Sequence, residues 1–221
     1  NEGLYRRNLL TSGINIRYNG PHISFNSQTS YQYIQDKMGI DQDFSPRNIF
    51  YGQNKIRQHM YCQEFTVKSV NKSRYHWITG AFVFRQTINR KVDLSRFTDT
   101  TRHLTNSGIP TQGIAFYHQS TLDLLQGLSC SVGLRYDYEH ARCDFSKVQQ
   151  PLNGNGETKS LEQFNRSLHF GQFTPKFSMQ YLSSHNQLFY ASVSKGYKAG
   201  GFNVSFLNND DYLYSPESVS Y

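Results

Sequence analysis

The chain has 221 residues, with 23 lysines and arginines against 16 acidic residues, for a formal net charge of +7. That length suits one domain or a piece of a larger one. Its composition, 37% hydrophobic, 18% charged and 15% aromatic, with 16 Tyr, 16 Phe and one Trp, excludes two classes. Disordered chains lack such aromatic content, and coiled coils or long helical bundles need Ala, Leu, Glu and Lys that are scarce here. An all-β protein rich in Tyr and Phe remains.

No run of about 18 apolar residues occurs, which excludes a transmembrane helix. A transmembrane barrel stays open, because its strands alternate lipid-facing apolar with lumen-facing polar residues and their average hydropathy is modest. The segment from Asn1 to Arg7 carries no apolar core of a signal peptide.

Period-2 patterning predicts eight strands, at approximately 8–18, 21–34, 58–70, 73–87, 112–124, 128–143, 166–183 and 186–198. In the second, Ile23 and Phe25 alternate with Ser24, Asn26, Gln28, Ser30 and Gln32. The fourth is ambiguous, since Trp77, Ala81 and Val83 form one apolar set and Ile78, Phe82 and Phe84 another. The sixth is the clearest. Leu128, Cys130, Val132, Leu134, Tyr136 and Tyr138 alternate there with Ser129, Ser131, Gly133, Arg135, Asp137 and Glu139. In the eighth, Phe189, Ala191 and Val193 oppose Tyr190, Ser192 and Ser194. Ser215 to Tyr221 reads as the start of a ninth.

Short turns at Asn19-Gly20, Asn71-Lys72, Gln126-Gly127 and Ser184-His185 alternate with long links at 35–57, 88–111, 144–165 and 199–214. A soluble sandwich has no reason for that segregation, whereas an outer-membrane barrel keeps short turns on the periplasmic rim and long loops outside. Glu64, Lys68, Arg135, Asp137 and Lys176 fall on the polar sets. A dry interior would penalise them and a hydrated lumen would not.

Four segments then resemble the TonB-dependent outer-membrane receptors, within that family the ferric-siderophore branch. Tyr190 to Asn203, with Gly196, Gly200, Gly201 and Asn203, is similar to the family's strand-and-loop signature, and Pro216-Glu217 and Tyr221 follow at a fitting distance. Gly133-Leu134-Arg135-Tyr136-Asp137 and Thr174-Pro175-Lys176 resemble further family strands. So do Gln63 to Ser69 and Tyr75 to Gly80, which includes Trp77, with Asp41 to Pro46 as the preceding loop. The resemblance covers roughly 8–221. It implies an antiparallel barrel of about 22 strands, of which this chain is expected to be a middle section of eight to nine. A plug domain, an energy-coupling box, a signal peptide and the closing strands are expected outside 1–221. The resemblance further implies uptake of a ferric siderophore or similar scarce solute across the outer membrane of a Gram-negative bacterium. Partners would be the TonB–ExbB–ExbD complex acting through the plug, and outer-membrane lipid and lipopolysaccharide, with no cofactor and no enzyme activity. A plugless porin or adhesin is the alternative.

The other chemistries fare worse. Cys62, Cys130 and Cys143 have no zinc spacing, and the eight histidines include no HExxH. The glycines near Lys195 and Lys198 lack P-loop spacing and read as a strand exit, where positive φ or close backbone approach is expected. Arginines and lysines do not cluster along the sequence and no nucleic-acid motif occurs; the basic balance is expected to draw anionic solutes into the mouth. Arg135 and Asp137 are expected to line the lumen, and Phe116 and Tyr117 to join an interfacial girdle. Candidate solute contacts in or beside the long links are Arg47, Tyr51, Arg57, Arg90, Arg102, Tyr197, Phe202 and Tyr212.

Overall fold

The computed structural model describes residues 3–41, 43, 46–154, 156–204 and 213–220. Tyr212, Tyr221 and parts of the stretches 41–46 and 199–214 lie outside them. The chain forms β1 (Leu4–Asn19), β2 (Ile23–Asp41), β3 (Phe50–Ser69), β4 (Tyr75–Arg96), β5 (Thr101–Leu125), β6 (Leu128–Pro151), β7 (Lys159–Leu182) and β8 (Leu188–Lys198). Two short strands, β9 (Gly201–Phe202) and β10 (Leu213–Tyr214), pair with each other, and β11 (Glu217–Ser220) pairs with β8. One antiparallel sheet in the order β1-β2-β3-β4-β5-β6-β7-β8-β11 results. Its inner strands exchange backbone hydrogen bonds with a neighbour on each side, the only extended arrangement that can face lipid.

All eight expected strands are present, and β11 is the ninth. Their lower ends, at the short turns, fall within about two residues of expectation. The two-residue turn at Gln126-Gly127 depends on Gly127, whose φ of 80° suits glycine alone and whose missing Cβ leaves room for the Leu182 carbonyl. Apart from β8, which ends at Lys198 as expected, the upper ends differ. Segments 35–41, 50–57, 88–96, 101–111, 144–151 and 159–165 are strand, so the links shrink to 42–49, 97–100 and 152–158. β5, at 25 residues, measures about 80 Å, or about 60 Å upright at barrel tilt. The wall therefore stands well clear of a 25 Å apolar band.

Register fixes the two faces. Ile16, Ser27, Phe65, Ala81, Phe116, Tyr136 and Phe173 follow one another across β1 to β7 on one face. Ile14, Ile16, Phe116, Val132 and Val193 on that face are each at least half exposed. This is the side for lipid. The ambiguity in β4 resolves, with Trp77, Ala81 and Val83 on the lipid side and Ile78, Phe82 and Phe84 on the other. The band closes above in Tyr31, Tyr61 and Tyr138; Tyr31 shares a 3.0 Å hydrogen bond with His59, and Tyr138 one of 3.0 Å with His169. From Leu128 to Tyr138 is about 34 Å along the strand and about 25 Å upright, the height of a barrel's apolar band.

Candidate functional site: the inner wall

On the face opposite the lipid band, Tyr117 from β5 is the hub. Its hydroxyl donates to the Glu64 carboxylate at 2.9 Å and accepts from the Thr66 hydroxyl at 2.8 Å. The Arg135 guanidinium lies 6.0 Å from its ring centre. The ring occupies the space above Gly80, where a Cβ would run into it and into the Phe65 carbonyl, 2.6 Å away. Phe84 covers Gly113 in the same manner. Tyr117 is thus not a girdle residue. Successive side chains on a strand face opposite sides, so Phe116 takes the lipid side, 56% exposed, and its neighbour turns inward.

Arg135 grips Asp137 through three contacts of 2.7–3.0 Å. Gly133, with Gln119 and Lys176 each 3.7 Å from where its Cβ would stand, leaves a shallow concavity floored by Glu64, Tyr117, Lys176 and Lys195. Pro175 sits at the end of the β7–β8 ladder, which runs only over Lys176–Leu182 and Leu188–Ser194. Proline has no N–H to extend it. Beyond that point β8 pairs with β11 instead. The Tyr197 hydroxyl is buried without a hydrogen-bond partner among the described residues, with Glu139 and Asp137 as its charged neighbours.

The remaining expected residues scatter. Trp77 stacks on His118 at 6.5 Å on the lipid side. Gly196 pairs with Val219, and Lys198 with Glu217 just after Pro216, their side chains 3.8 Å apart. Gly200 and Gly201 are buried, the first against Phe170 and the second beneath Tyr214. Neither of them nor Gly196 has positive φ, so of the two expected reasons for glycine here only close approach holds for Gly200 and Gly201. Asn203 follows β9 at the surface, and Phe202 pairs with Leu213. Arg90 donates to Asn54 at 3.2 Å on the inner side. Arg47 is exposed in the link before β3, and Tyr51 covers Gly39. Arg57 and Arg102 lie on the outer face, Arg102 bound to Asp93 at 2.6 Å. Tyr212 is outside the described residues.

The charge pattern also departs from expectation. On the inner face, Arg7 is matched by Asp36 (2.6 Å), Arg96 by Asp99 (3.2 Å) and Arg135 by Asp137. Arg6, Lys37, Lys55, Arg57, Arg85 and Lys91 instead share the outer face of β1–β4. The Glu64–Tyr117–Arg135 assembly was invisible to motif reading, because it joins three strands and only the register reveals it. A mixed, hydrogen-bonding wall of this kind can hold a polar body against itself.

The sequence matches a family model described as "TonB dependent receptor-like, beta-barrel" over residues 2–219. Among solved structures it is similar to the ferric yersiniabactin uptake receptor FyuA from Yersinia pestis, at 14% identity and a TM-score of 0.82, over 97% of this chain and 32% of that one. The siderophore receptor PiuA from Acinetobacter baumannii gives 10% identity, a TM-score of 0.70, and 98% and 37% coverage. The ferric citrate transporter FecA gives 12%, 0.63, 88% and 28%. The chain spans about a third of the length of these proteins.

Proposed function

Because the chain belongs to the TonB-dependent receptor-like β-barrel family, whose barrels are outer-membrane proteins, we propose that it is a stretch of wall from a receptor for active solute uptake. The cargo class is a ferric siderophore or a similar scarce chelate. The barrel encloses a plug domain encoded elsewhere in the gene, and the TonB–ExbB–ExbD complex of a Gram-negative cell pulls on that plug. The observation that carries the reading is the inner wall itself: Glu64, Tyr117, Arg135 and Asp137 form a hydrogen-bonded polar surface back to back with the lipid band. A wall built to be lined by bulk water has no need of such fixed geometry, while one that holds a polar plug or solute does.

In this reading no covalent step occurs. The wall orients the plug through paired charges, and displacement of the plug opens a path. Arg90 and Tyr197, both on the inner side, are the wall residues proposed to meet plug or cargo. The test is uptake of radiolabelled ferric chelates by iron-starved cells carrying the full gene, with and without the energy-transducing complex. Uptake that vanishes with the complex supports active transport. Uptake indifferent to it returns the protein to the passive-barrel or adhesin alternative.

A further inference from the structure

We propose that His140 and His169 form a two-point site for a divalent first-row transition ion, a staple between β6 and β7 on the outer face just above the tyrosine border. The two residues stand directly opposite each other in the register. Their imidazoles lie face to face, with ring centres 4.4 Å apart and planes 9° from parallel. Tyr138, one step lower on the same face, shares a 3.0 Å hydrogen bond with Nδ1 of His169. With that nitrogen donating to the phenol oxygen, Nε2 keeps its lone pair for a metal, and the tyrosine fixes the ring as a ligating histidine requires. A tetrahedral ion about 2.0 Å from each nitrogen needs them about 3.3 Å apart, so the stacked rings have only to tilt their tips together by about 1 Å. Water supplies the remaining positions, since no third His, Cys, Asp or Glu joins the pair among the described residues.

Packing alone does not ask for histidines here. Where the same two strands need only packing, Phe145 stacks on Phe164 at 4.9 Å on the inner face. The surrounding charge tolerates a cation. Arg142, next up on this face of β6, is held by Asp144 at 2.9 Å, and Gln112 separates His140 from Arg85 across the sheet. His59 supplies the contrast. It too bonds a tyrosine, Tyr31, at 3.0 Å, but Tyr33 and Thr87 stand opposite it, so the second ligand is missing. The place also gives the ion a task. β7 is laddered to β8 only over Lys176–Leu182, so among the described residues its upper part, with His169, is held by β6 alone. An ion bound only by the assembled pair adds its binding free energy to that junction. Imidazole suits zinc, nickel and copper, and copper(II) binds such sites most tightly of the series. The pair lies two residues above Tyr138, about 7 Å along the strand, where water carries ions to it.

The test uses the full gene product, purified in detergent without a histidine tag, and Cu2+ alone as the probe. Electron paramagnetic resonance should show a bound copper(II) whose hyperfine pattern reports two imidazole nitrogens. His140→Gln and His169→Gln should each abolish that pattern and weaken binding at this site by at least about a hundredfold, as chelation is lost. Tyr138→Phe should keep the two-nitrogen pattern and weaken binding about tenfold. His59→Gln should change neither. Hydrogen exchange separates a staple from mere stacking: Cu2+ should protect 159–175 in the parent and leave it unprotected in His140→Gln. A two-imidazole pattern that survives both histidine variants overturns the proposal. So does copper that binds the pair without protecting 159–175. Neither readout involves cargo, so the outcome stands apart from that of the uptake test.

Discussion

Leu134 and Arg135 are neighbours in sequence and belong to different solvents. On the lipid side of β6, Leu134, Tyr136 and Tyr138 are 42–47% exposed and have no polar duty beyond the band's rim. On the inner side Arg135 and Asp137 are locked together and tied through Tyr117 to Glu64 on β3. Each strand thus carries two messages at alternate residues. The outer one is chemical type alone, while the inner one is partner-specific.

The most damaging change should be a charge placed on the wrong side. Leu134→Arg, near mid-band, is expected to cost about 2–4 kcal/mol when the full barrel refolds into lipid vesicles. Gln119→Arg, the same charge on the inner face, should stay within about 0.5 kcal/mol; equal costs would mean that the faces are assigned wrongly. Next is the partner-specific side. Gly80→Ala forces a Cβ into the Tyr117 ring and the Phe65 carbonyl, and should cost about 1–3 kcal/mol. Adding Tyr117→Ala should recover part of that loss but not all, since the carbonyl stays. Strict additivity in the double-mutant cycle would sink the steric account.

Asp137→Asn should be milder, under about 1 kcal/mol, because the Arg135–Asp137 pair is partly open to water; thermal unfolding of the purified barrel reads it. The smallest effect concerns pH at the tip between β4 and β5. A hydrogen bond from Thr101, then Arg96, holds the Asp99 carboxyl below its ordinary range, and burial holds His103 below the usual imidazole range, aided by Lys147 and Arg96. Both groups bind protons more weakly in the folded tip than in the unfolded chain. The support is therefore intact at neutral pH. It declines as pH falls below about 6.5 for His103, and below about 4 for Asp99. Protection factors across 96–103, taken relative to the intrinsic exchange rate at each pH, should fall in that order on acidification, and protection that rises would refute the sign.

What could be read from the sequence follows from where the two solvents differ. Between the short turns and Tyr138 one face meets lipid and the other water, so period 2 is written plainly and eight strands could be placed. Above Tyr138 both faces are wet. Asp144-Phe145-Ser146-Lys147-Val148-Gln149-Gln150 continues β6 yet carries no alternation, because its neighbours hold it through the backbone. Nor does a proline end its strand. Pro110 stands within β5 (Thr101–Leu125) and only interrupts the ladder to β6 between Gly108 and Thr111. The inner site was half legible. Arg135 and Asp137 are two apart on one strand and announce themselves. Glu64 and Tyr117 meet across β3, β4 and β5, and no single-strand pattern encodes that register. The basic outer face of β1–β4 was hidden for the same reason, since Arg6, Lys37, Lys55 and Lys91 are far apart in the chain and meet only through the register.

Seen as inheritance, the pocket that Gly80 leaves for Tyr117 makes two positions 37 apart in the sequence a single character. A lineage that acquires a side chain at 80 must surrender the ring at 117 in the same step or soon after, and one that shrinks residue 117 frees position 80 to drift. Aligned relatives of this segment should therefore show glycine at 80 where an aromatic stands at 117, and relaxed composition at both where it does not.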